Sequence, residues 1–264
     1  MNLGLANKTA VVTGASAGIG AQIAKSLAQE GCKVLIHYLE RDEQIHIGVE
    51  IDYTKASNRE AALLVQAEIE QSGGTAGIYA ADLSLDGTHK QLFDYAETAF
   101  GQVDILINNA AHCELPDTVF STTATVINRH FDVNVKAPVL LSKEFAERQI
   151  RRKDCYGRII NISTDAARRF PGQISYGASK AALESYTRSL AVELGTYGIT
   201  VNAIAPGPVQ TGWIDAELEK QVLPHLPVGR VGYPADIANF VLSLCAEQSS
   251  WITGQVIRVD GGYL

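Results

Sequence analysis

The sequence predicts a single α/β domain built on a doubly wound parallel sheet of about seven strands, with helices on both faces. Short runs rich in β-branched residues alternate with longer amphipathic runs along all 264 residues. The short runs are apolar throughout, as expected for strands that are covered on both faces. The chain contains no linker-like tract, low-complexity block or internal repeat, so residues 1–264 are expected to form one domain.

The elements follow one another in regular alternation. Strands are predicted at 9–14, 33–38, 76–83, 103–110, 157–163, 199–206 and 255–260. Helices are predicted at 18–31, 58–74, 86–100, 122–150, 175–195, 213–221 and 234–246, the second of them capped by Asn58 and ended by glycines. Ligands of such sheets bind at the carboxyl ends of the strands, so the residues that follow each strand are the functional candidates.

Composition and charge exclude some partners. The chain is 46% hydrophobic and 19% charged, and its formal net charge is -7. A general nucleic-acid binder needs a basic surface, so we expect no nucleic-acid partner. The short basic run 148–153 is interpreted as the solvated end of a helix, where cations interact favourably with the helix dipole.

The cysteines and the N-terminus indicate a cytoplasmic protein. The four cysteines, at 32, 113, 155 and 245, show no metal-ligand or redox spacing, so we expect free thiols and no metal site. The N-terminal residues lack a basic region followed by an apolar one, and they lead directly into a strand. No apolar stretch is long enough to span a bilayer, so no membrane partner is expected.

A glycine-rich segment, TGASAGIG, follows the first predicted strand at residues 13–20. Gly14, Gly18 and Gly20 let the backbone turn tightly and approach a pyrophosphate, and the following helix supplies oriented N–H groups. The same glycines would also permit a tight turn that binds nothing.

Tyr176 and Lys180 are four residues apart on a predicted helix and therefore share one face of it. A free phenol has a pKa of about 10 and is a poor base near neutral pH. Lowering that pKa by about 3 units requires roughly 4 kcal/mol, much of which a nearby ammonium group can supply in a partly desolvated site. The pair would then serve as a general acid/base for an alcohol/ketone couple. Spacing alone is equally compatible with two surface residues.

The pattern TGxxxGxG at 13–20, NNA at 108–110 and YxxxK at 176–180 resembles the short-chain dehydrogenase/reductase family, including its 3-oxoacyl-[acyl-carrier-protein] reductase-like members. The resemblance covers nearly the whole chain. Further segments that carry it are ADL (81–83), PGPVQT (206–211) and TGQVIRVDGG (253–262).

This resemblance implies a Rossmann-like fold and an NAD(P)-dependent oxidoreductase that reduces a carbonyl or oxidises an alcohol. Hydride moves between the nicotinamide and a substrate carbon, and Tyr176 gives or takes the hydroxyl proton. Ser163, thirteen residues before Tyr176, holds the substrate oxygen, while Lys180 lowers the pKa of Tyr176 and binds the ribose. A homotetramer is also implied, with the helices at 122–150 and 175–195 packing between subunits.

Asn134 completes the catalytic set by resemblance, and the sequence offers a physical reason of its own. Pro138 has no N–H, so the carbonyl of Asn134, four residues earlier, loses its helical partner. That carbonyl can hold a water molecule that passes protons from Lys180 to solvent. The alternative is a kink that serves packing only.

The cofactor contacts implied by the resemblance follow the ends of several strands. They are Gly14, Ser16, Gly18, Ile19, Gly20, Tyr38, Arg41, Asp82, Leu83, Asn109, Ala110, Tyr176, Lys180, Pro206, Gly207, Val209 and Thr211. Tyr38 stands where NAD enzymes carry an acid, and Arg41 could pair with a 2′-phosphate, so NADP(H) is favoured. Ala17 and Glu40 argue in the other direction, and NAD(H) remains open.

Two departures from the family pattern stand out: Ala111 replaces the last glycine of NNAG, and residues 40–57 are longer than the usual connection. The substrate wall is expected from 112–120, 164–174 and 208–226. Its candidates are apolar (Phe170, Trp213, Leu223) and polar (His112, Asp165, Arg168, His225). An acyl-carrier-protein ketone and a sugar or polyol both remain open as substrates. A non-catalytic dinucleotide sensor is the alternative function.

Overall fold

Seven parallel strands form one sheet in the computed structural model, which describes residues 2–40, 58–152, 156–168 and 170–263. The strand order is β3-β2-β1-β4-β5-β6-β7. The strands are β1 (Thr9–Val12), β2 (Lys33–Tyr38), β3 (Thr75–Ala80), β4 (Ile105–Asn108), β5 (Gly157–Ile162), β6 (Ile199–Pro206) and β7 (Val256–Val259). The predicted doubly wound parallel sheet is confirmed.

Helices connect successive strands. They are α1 (Gly18–Gln29), α2 (Arg59–Gln71), α3 (Thr88–Phe100), α4 (Ala124–Phe131), α5 (Ala137–Arg152), α6 (Ile174–Leu194), α7 (Ala216–Val222) and α8 (Pro234–Cys245). The predicted N-cap of α2 is confirmed, because the Asn58 side chain accepts a hydrogen bond from the backbone N–H of Ala61. The helix predicted at 213–221 begins later, at Ala216, where the Asp215 side chain caps it.

Both faces of the sheet are covered, and this explains why the strands are mostly apolar. Successive residues of a strand point to opposite faces. Val12 and Ile36 pack in the cluster that includes α1, α2 and α8, whereas Val11 and Leu35 pack in the cluster that includes α3, α5 and α6. Most strand positions therefore carry an apolar side chain, and buried polar ones such as His37 form hydrogen bonds instead.

The long helix predicted at 122–150 is interrupted. A π turn at Asp132–Lys136 separates α4 from α5, and the N–H of Ala137 bonds to the carbonyl of Asp132, five residues earlier. The sequence predicted an irregularity here because Pro138 cannot donate a hydrogen bond to Asn134. The structure confirms the irregularity.

Some of the predictions concern residues that the structure does not describe. Arg41, most of the long connection at 40–57 and Cys155 lie outside the described residues. Cys32, Cys113 and Cys245 are buried free thiols. Among the described helices, none has the length and apolar character that a bilayer crossing requires.

Candidate active site

A cleft of about 590 Å³ opens at the carboxyl ends of the strands, where the strand order reverses between β1 and β4. It brings together fifteen of the predicted cofactor contacts. They are Gly14, Ser16, Gly18, Ile19, Gly20, Asp82, Leu83, Asn109, Ala110, Tyr176, Lys180, Pro206, Gly207, Val209 and Thr211. Ser163 lines the same cleft, so one opening joins the glycine-rich loop to the predicted catalytic residues.

The glycine-rich loop has a geometry that side chains would disrupt. Gly18 adopts a φ of +56°, which L residues with a Cβ rarely adopt. A Cβ on Gly20 would lie 2.4 Å from the Asn109 Nδ2 atom and 2.4 Å from the carbonyl oxygen of Gly14. The absence of side chains thus lets α1 begin close against the loop, with its N-terminus facing the cleft.

Asn109 fastens this loop to the end of β4. Its Nδ2 atom donates to the carbonyl oxygens of Thr13 and Gly14, both at 2.9 Å. In return, the Thr13 hydroxyl oxygen accepts from the backbone N–H groups of Asn109 at 2.9 Å and Ala110 at 3.0 Å. The NNA segment therefore holds the loop in place from the neighbouring strand.

His37 is a second support for the loop, and sequence reasoning missed it. Its Nδ1 atom accepts the N–H of Gly14 at 3.1 Å, so Nε2 carries the proton and donates to the carbonyl of Ala81 at 3.0 Å. Burial lowers the pKa of His37 to about 4, which keeps it neutral in this role. The available signal was a histidine within the otherwise apolar run VLIHY.

Tyr38 does not occupy the place predicted for it. It is 3% exposed and packs in the apolar cluster with α1 and α2, while His37 and Leu39 line the cleft. The prediction aligned the strand end correctly but ignored the alternation of side chains along a strand. Leu39, an apolar residue, thus occupies the cleft wall at the end of β2.

Tyr176 and Lys180 lie on α6 as predicted. The Lys180 Nζ atom is 5.9 Å from the centre of the Tyr176 ring and donates to the carbonyl of Ile162 at 2.7 Å. Lys180 is only 2% exposed, and burial lowers its pKa to about 8. A positive charge therefore sits next to the phenol at neutral pH.

Ser163 has a partner that the sequence reasoning missed. Its hydroxyl donates to the Glu184 Oε1 atom at 2.7 Å. Glu184 follows Lys180 by four residues, so Tyr176, Lys180 and Glu184 share one face of α6. This spacing was visible in the sequence and could have identified Glu184.

Asn134 is fully buried in the π turn, and its side chain braces the segment that follows β4. Its Oδ1 atom accepts the N–H of His112 at 2.7 Å, and its Nδ2 atom donates to the carbonyl of His112 at 2.9 Å. Nδ2 also contacts the Ser179 hydroxyl oxygen at 3.0 Å. One side chain thus connects that segment to the helix that carries Tyr176.

Asp117 holds the first turn of α6 and was also missed. It is fully buried, and its Oδ2 atom accepts from the backbone N–H groups of Ser175 at 2.6 Å and Tyr176 at 3.3 Å. Its Oδ1 atom accepts from the Ser175 hydroxyl at 2.8 Å. A carboxylate at a helix N-terminus also interacts favourably with the helix dipole.

We expect Asp117→Ala to lower the free energy of unfolding by about 2–3 kcal/mol, because it removes a cap and leaves buried donors unpaired. Urea denaturation measures the loss. The matched control is Asp215→Ala, which removes an exposed cap from α7 and should cost only about 0.5–1 kcal/mol. Equal losses in the two variants would contradict a special role of Asp117 in holding α6.

The wall beyond the catalytic residues is mostly apolar. Of the predicted candidates, His112, Asp165, Phe170 and Trp213 line the cleft. Leu223, His225 and Arg168 do not line it, and α7 contributes Leu218 and Val222 instead. Tyr263, which was not predicted, also lines this wall.

Asp165 is the acidic side chain at this end of the cleft. Its carboxylate accepts a hydrogen bond from the Thr164 hydroxyl at 3.1 Å, and burial raises its pKa. The substrate end of the cleft therefore combines aromatic and aliphatic surface with one partly desolvated carboxyl group.

Comparison with known proteins agrees with this site. Residues 8–52 match the family model described as short chain dehydrogenase, and residues 46–264 match the one described as Enoyl-(Acyl carrier protein) reductase. The chain is 38% identical to a short-chain type dehydrogenase/reductase of Picea abies, over 98% of this chain and 93% of that protein.

Solved structures of similar proteins include oxidoreductases with a bound nicotinamide cofactor. A 7α-hydroxysteroid dehydrogenase complexed with NADH and 7-oxo glycochenodeoxycholic acid is 34% identical, with a TM-score of 0.85 over 100% of this chain and 96% of that chain. A 3-oxoacyl (acyl-carrier-protein) reductase of Agrobacterium tumefaciens with NADP bound is 30% identical, with a TM-score of 0.84 over 98% and 95%. The chain therefore belongs to the short-chain dehydrogenase/reductase family of oxidoreductases, which act on alcohol and carbonyl groups.

Proposed function

We propose that this protein is an NADP(H)-dependent dehydrogenase/reductase in which Tyr176, Ser163, Lys180 and Asn134 carry the proton chemistry. The observation that supports this most is the single cleft that joins the glycine-rich loop to Ser163, Tyr176 and Lys180. The loop fits a dinucleotide, because the space beside Gly20 is too narrow for a Cβ and α1 points its N-terminus at the cleft. The bound nicotinamide would supply or accept the hydride.

The acid/base chemistry would be centred on the Tyr176 hydroxyl. Because the pKa of Lys180 is about 8, its ammonium group is charged at neutral pH and stabilises the phenolate form of the neighbouring tyrosine. The phenol can then give a proton to a carbonyl oxygen during reduction, or take one from an alcohol during oxidation.

Ser163 would position the substrate oxygen for this transfer. Its hydroxyl donates to Glu184 at 2.7 Å, and this hydrogen bond fixes the rotamer of a side chain that lines the cleft. A substrate oxygen would replace Glu184 as the acceptor of the serine proton. When no substrate is bound, the hydrogen bond to the Glu184 carboxylate would hold the Ser163 side chain in this rotamer.

Proton exchange with solvent would run through Lys180 and the backbone of the π turn. Asn134 lies in that turn, where the helical hydrogen-bond pattern is broken, and its side chain is fully used in bracing His112. We therefore propose that the backbone carbonyl of Asn134 accepts a hydrogen bond from a water molecule, and that this water takes part in the proton relay.

The preference for NADP(H) rests on the end of β2. Leu39 in the cleft wall offers no carboxylate to bind a free 2′-hydroxyl or to repel a 2′-phosphate, and Arg41 follows two residues later in the sequence. A charge-assisted hydrogen bond from arginine to phosphate is worth about tenfold in affinity. NADPH and NADP are accordingly the expected cofactors.

We expect NADPH to bind about tenfold more tightly than NADH in a fluorescence titration of the purified protein. Arg41→Ala should weaken NADPH binding by a similar factor and leave NADH binding unchanged. Arg188→Ala, which removes an exposed cation from α6 outside the lining of the cleft, is the control and should change neither affinity. Tighter binding of NADH would assign the protein to the NAD-dependent members, and binding of neither would refute the proposal.

The substrate class follows from the wall of the cleft. Phe170, Trp213, Leu218 and Val222 present a continuous apolar surface, which suits the body of an extended ketone or secondary alcohol better than a sugar. The similar proteins named above include one hydroxysteroid dehydrogenase, solved with 7-oxo glycochenodeoxycholic acid, and one 3-oxoacyl reductase. Asp165 would accept a hydrogen bond from a hydroxyl group at the far end of the substrate.

The remaining proposals concern the whole molecule. We propose one domain over residues 1–264, a cytoplasmic location and a homotetramer. What supports the tetramer is the exposure of apolar side chains on the helices expected at the interfaces: Ile127 is 41% exposed on α4 and Val192 is 81% exposed on α6.

A further inference from the structure

Three side chains that could bind a metal ion lie close together at the edge of the cleft. They are His112 and Glu114, which follow β4, and His130, which lies on α4. One nitrogen or oxygen atom from each residue lies within 4.8 Å of those from the other two. The group is close to the catalytic helix, since the His130 ring centre is 6.5 Å from that of Tyr176.

The hydrogen bond of His130 orients its ring in the way that is usual for a metal ligand. The residue is fully buried, and its Nδ1 atom lies 2.8 Å from the carbonyl oxygen of Val126. A carbonyl can only accept, so Nδ1 carries the proton and Nε2 presents a lone pair. Ligating histidines are commonly fixed in this way, with the second ring nitrogen donating to a backbone carbonyl.

The Nε2 atom of His130 is a buried acceptor that lacks a hydrogen-bond partner within the part of the chain that the structure describes. Leaving such an atom unpaired costs free energy, and native proteins rarely do so without a reason. Its ring meets that of His112 edge to face, with the centres 5.0 Å apart. A ring nitrogen of each imidazole also lies within 4.8 Å of one from the other.

Glu114 adds a carboxylate to the two imidazoles. Its side chain is 5% exposed, and its Oε2 atom is 3.3 Å from the Nε2 atom of His112. Its other oxygen, Oε1, is 3.1 Å from the guanidinium group of Arg129, whose side chain is 45% exposed. Oε2 can therefore bind an ion while Arg129 holds Oε1, since carboxylates that bind metals are usually also hydrogen-bonded to a neighbouring side chain.

We propose that His112, Glu114 and His130 form a binding site for a divalent transition-metal ion of the Zn²⁺ class. Two imidazoles and one carboxylate are typical ligands of zinc, whereas Mg²⁺ and Ca²⁺ prefer oxygen atoms alone. Bonds of about 2.0–2.2 Å to a tetrahedral ion would place the ligand atoms about 3.4 Å apart, so a pair at the 4.8 Å limit must close by about 1.4 Å.

This site goes beyond the proposed hydride transfer, which does not require a metal. The expectation of no metal site rested on the spacing of the cysteines and did not consider histidines brought together from β4 and α4. A bound ion would tie the segment after β4 to α4. That segment also carries Asp117, which caps α6, so the ion would stiffen the wall next to Tyr176.

The test is a titration of the full-length protein, first stripped of metal with a chelator, by Zn²⁺ in competition with a chromophoric chelator. We expect one equivalent of Zn²⁺ per chain, and visible absorption bands of tetrahedral Co²⁺ when cobalt replaces zinc. His130→Gln and Glu114→Gln should each weaken binding by at least about 100-fold. His89→Gln, a histidine on α3 outside this cluster, is the matched control and should bind like the unmodified protein.

Circular dichroism of each variant separates lost binding from lost folding, and Glu114→Gln decides the question if His130→Gln does not fold. The proposal is overturned if the unmodified protein binds no stoichiometric Zn²⁺. It is also overturned if the folded variants bind as tightly as the control, or if bound Co²⁺ shows the weak spectrum of an octahedral oxygen site. None of these readouts depends on cofactor or turnover, so failure of the metal site and failure of the proposed function are distinguishable.

Discussion

Tyr176→Phe is expected to lower kcat by a factor of at least about 10²–10⁴ and to leave the affinity for NADPH unchanged. Phenylalanine keeps the ring against His130 and Lys180 but removes the only group proposed to exchange a proton with the substrate oxygen. The hydride could still approach the substrate, but the developing alkoxide would have no acid within reach. Steady-state rates with a panel of extended ketones, together with the NADPH fluorescence titration, measure the two effects separately.

Tyr186→Phe is the matched control for this experiment. Tyr186 lies on the same helix and is 45% exposed, so its loss should alter neither kcat nor cofactor affinity. If Tyr176→Phe keeps its turnover, the assignment of the general acid is wrong. If the unmodified protein binds NADPH but turns over no member of the panel, the non-catalytic dinucleotide sensor becomes the better interpretation.

The fold and the cofactor half of the site were largely predictable because their signals are local in sequence. A strand covered on both faces is apolar at most of its positions, and each such run was recognised and matched to a strand. The glycine-rich loop and the YxxxK pair are likewise short segments whose spacing determines their geometry.

The missed residues have in common that their partners are distant in sequence. Asp117 caps a helix that begins 57 residues later, and His37 supports a loop on the neighbouring strand. His112, Glu114 and His130 likewise come together only because the chain folds back after β4, which places α4 against the segment that carries His112 and Glu114. Such contacts are decided by tertiary packing, and periodicity within a single element carries no information about them.

Tyr38 shows a different limit. The end of β2 was aligned correctly, yet the direction of a side chain at a strand end depends on which face of the sheet the pleat assigns to it. The observed core position of Tyr38 leaves Leu39 in the cleft wall, so the proposed preference for NADP(H) rests on residues beyond the strand.

Lys180→Met is expected to stabilise the cofactor-free protein while abolishing turnover. Burial lowers the pKa of Lys180 from its ordinary value of 10.5 to about 8, which means that the charged form is disfavoured in the folded state. A difference of about 2.5 pKa units corresponds to roughly 3 kcal/mol at neutral pH. Methionine fills the same space without a charge, although it leaves the carbonyl of Ile162 without the ammonium donor. We therefore expect a net gain of about 1–2 kcal/mol in the free energy of unfolding, measured in urea.

The pH dependence of this gain distinguishes the charge from mere packing. Between pH 8 and 10.5 the unfolded chain holds the Lys180 proton while the folded protein releases it, so the stability of the unmodified protein rises relative to Lys180→Met as the pH increases. The advantage of the variant should accordingly be largest below pH 8 and should shrink steadily towards pH 10.5. All other titrating groups are common to both proteins and cancel in the difference.

Lys220→Met, at an exposed position on α7, should stay within about 0.5 kcal/mol of the unmodified protein at every pH. A gain at Lys180 that does not vary with pH would show that the ammonium group is not destabilised by burial. Lys180 would then keep its ordinary pKa of 10.5 and stay charged to higher pH, so its proposed effect on Tyr176 would carry no cost in stability.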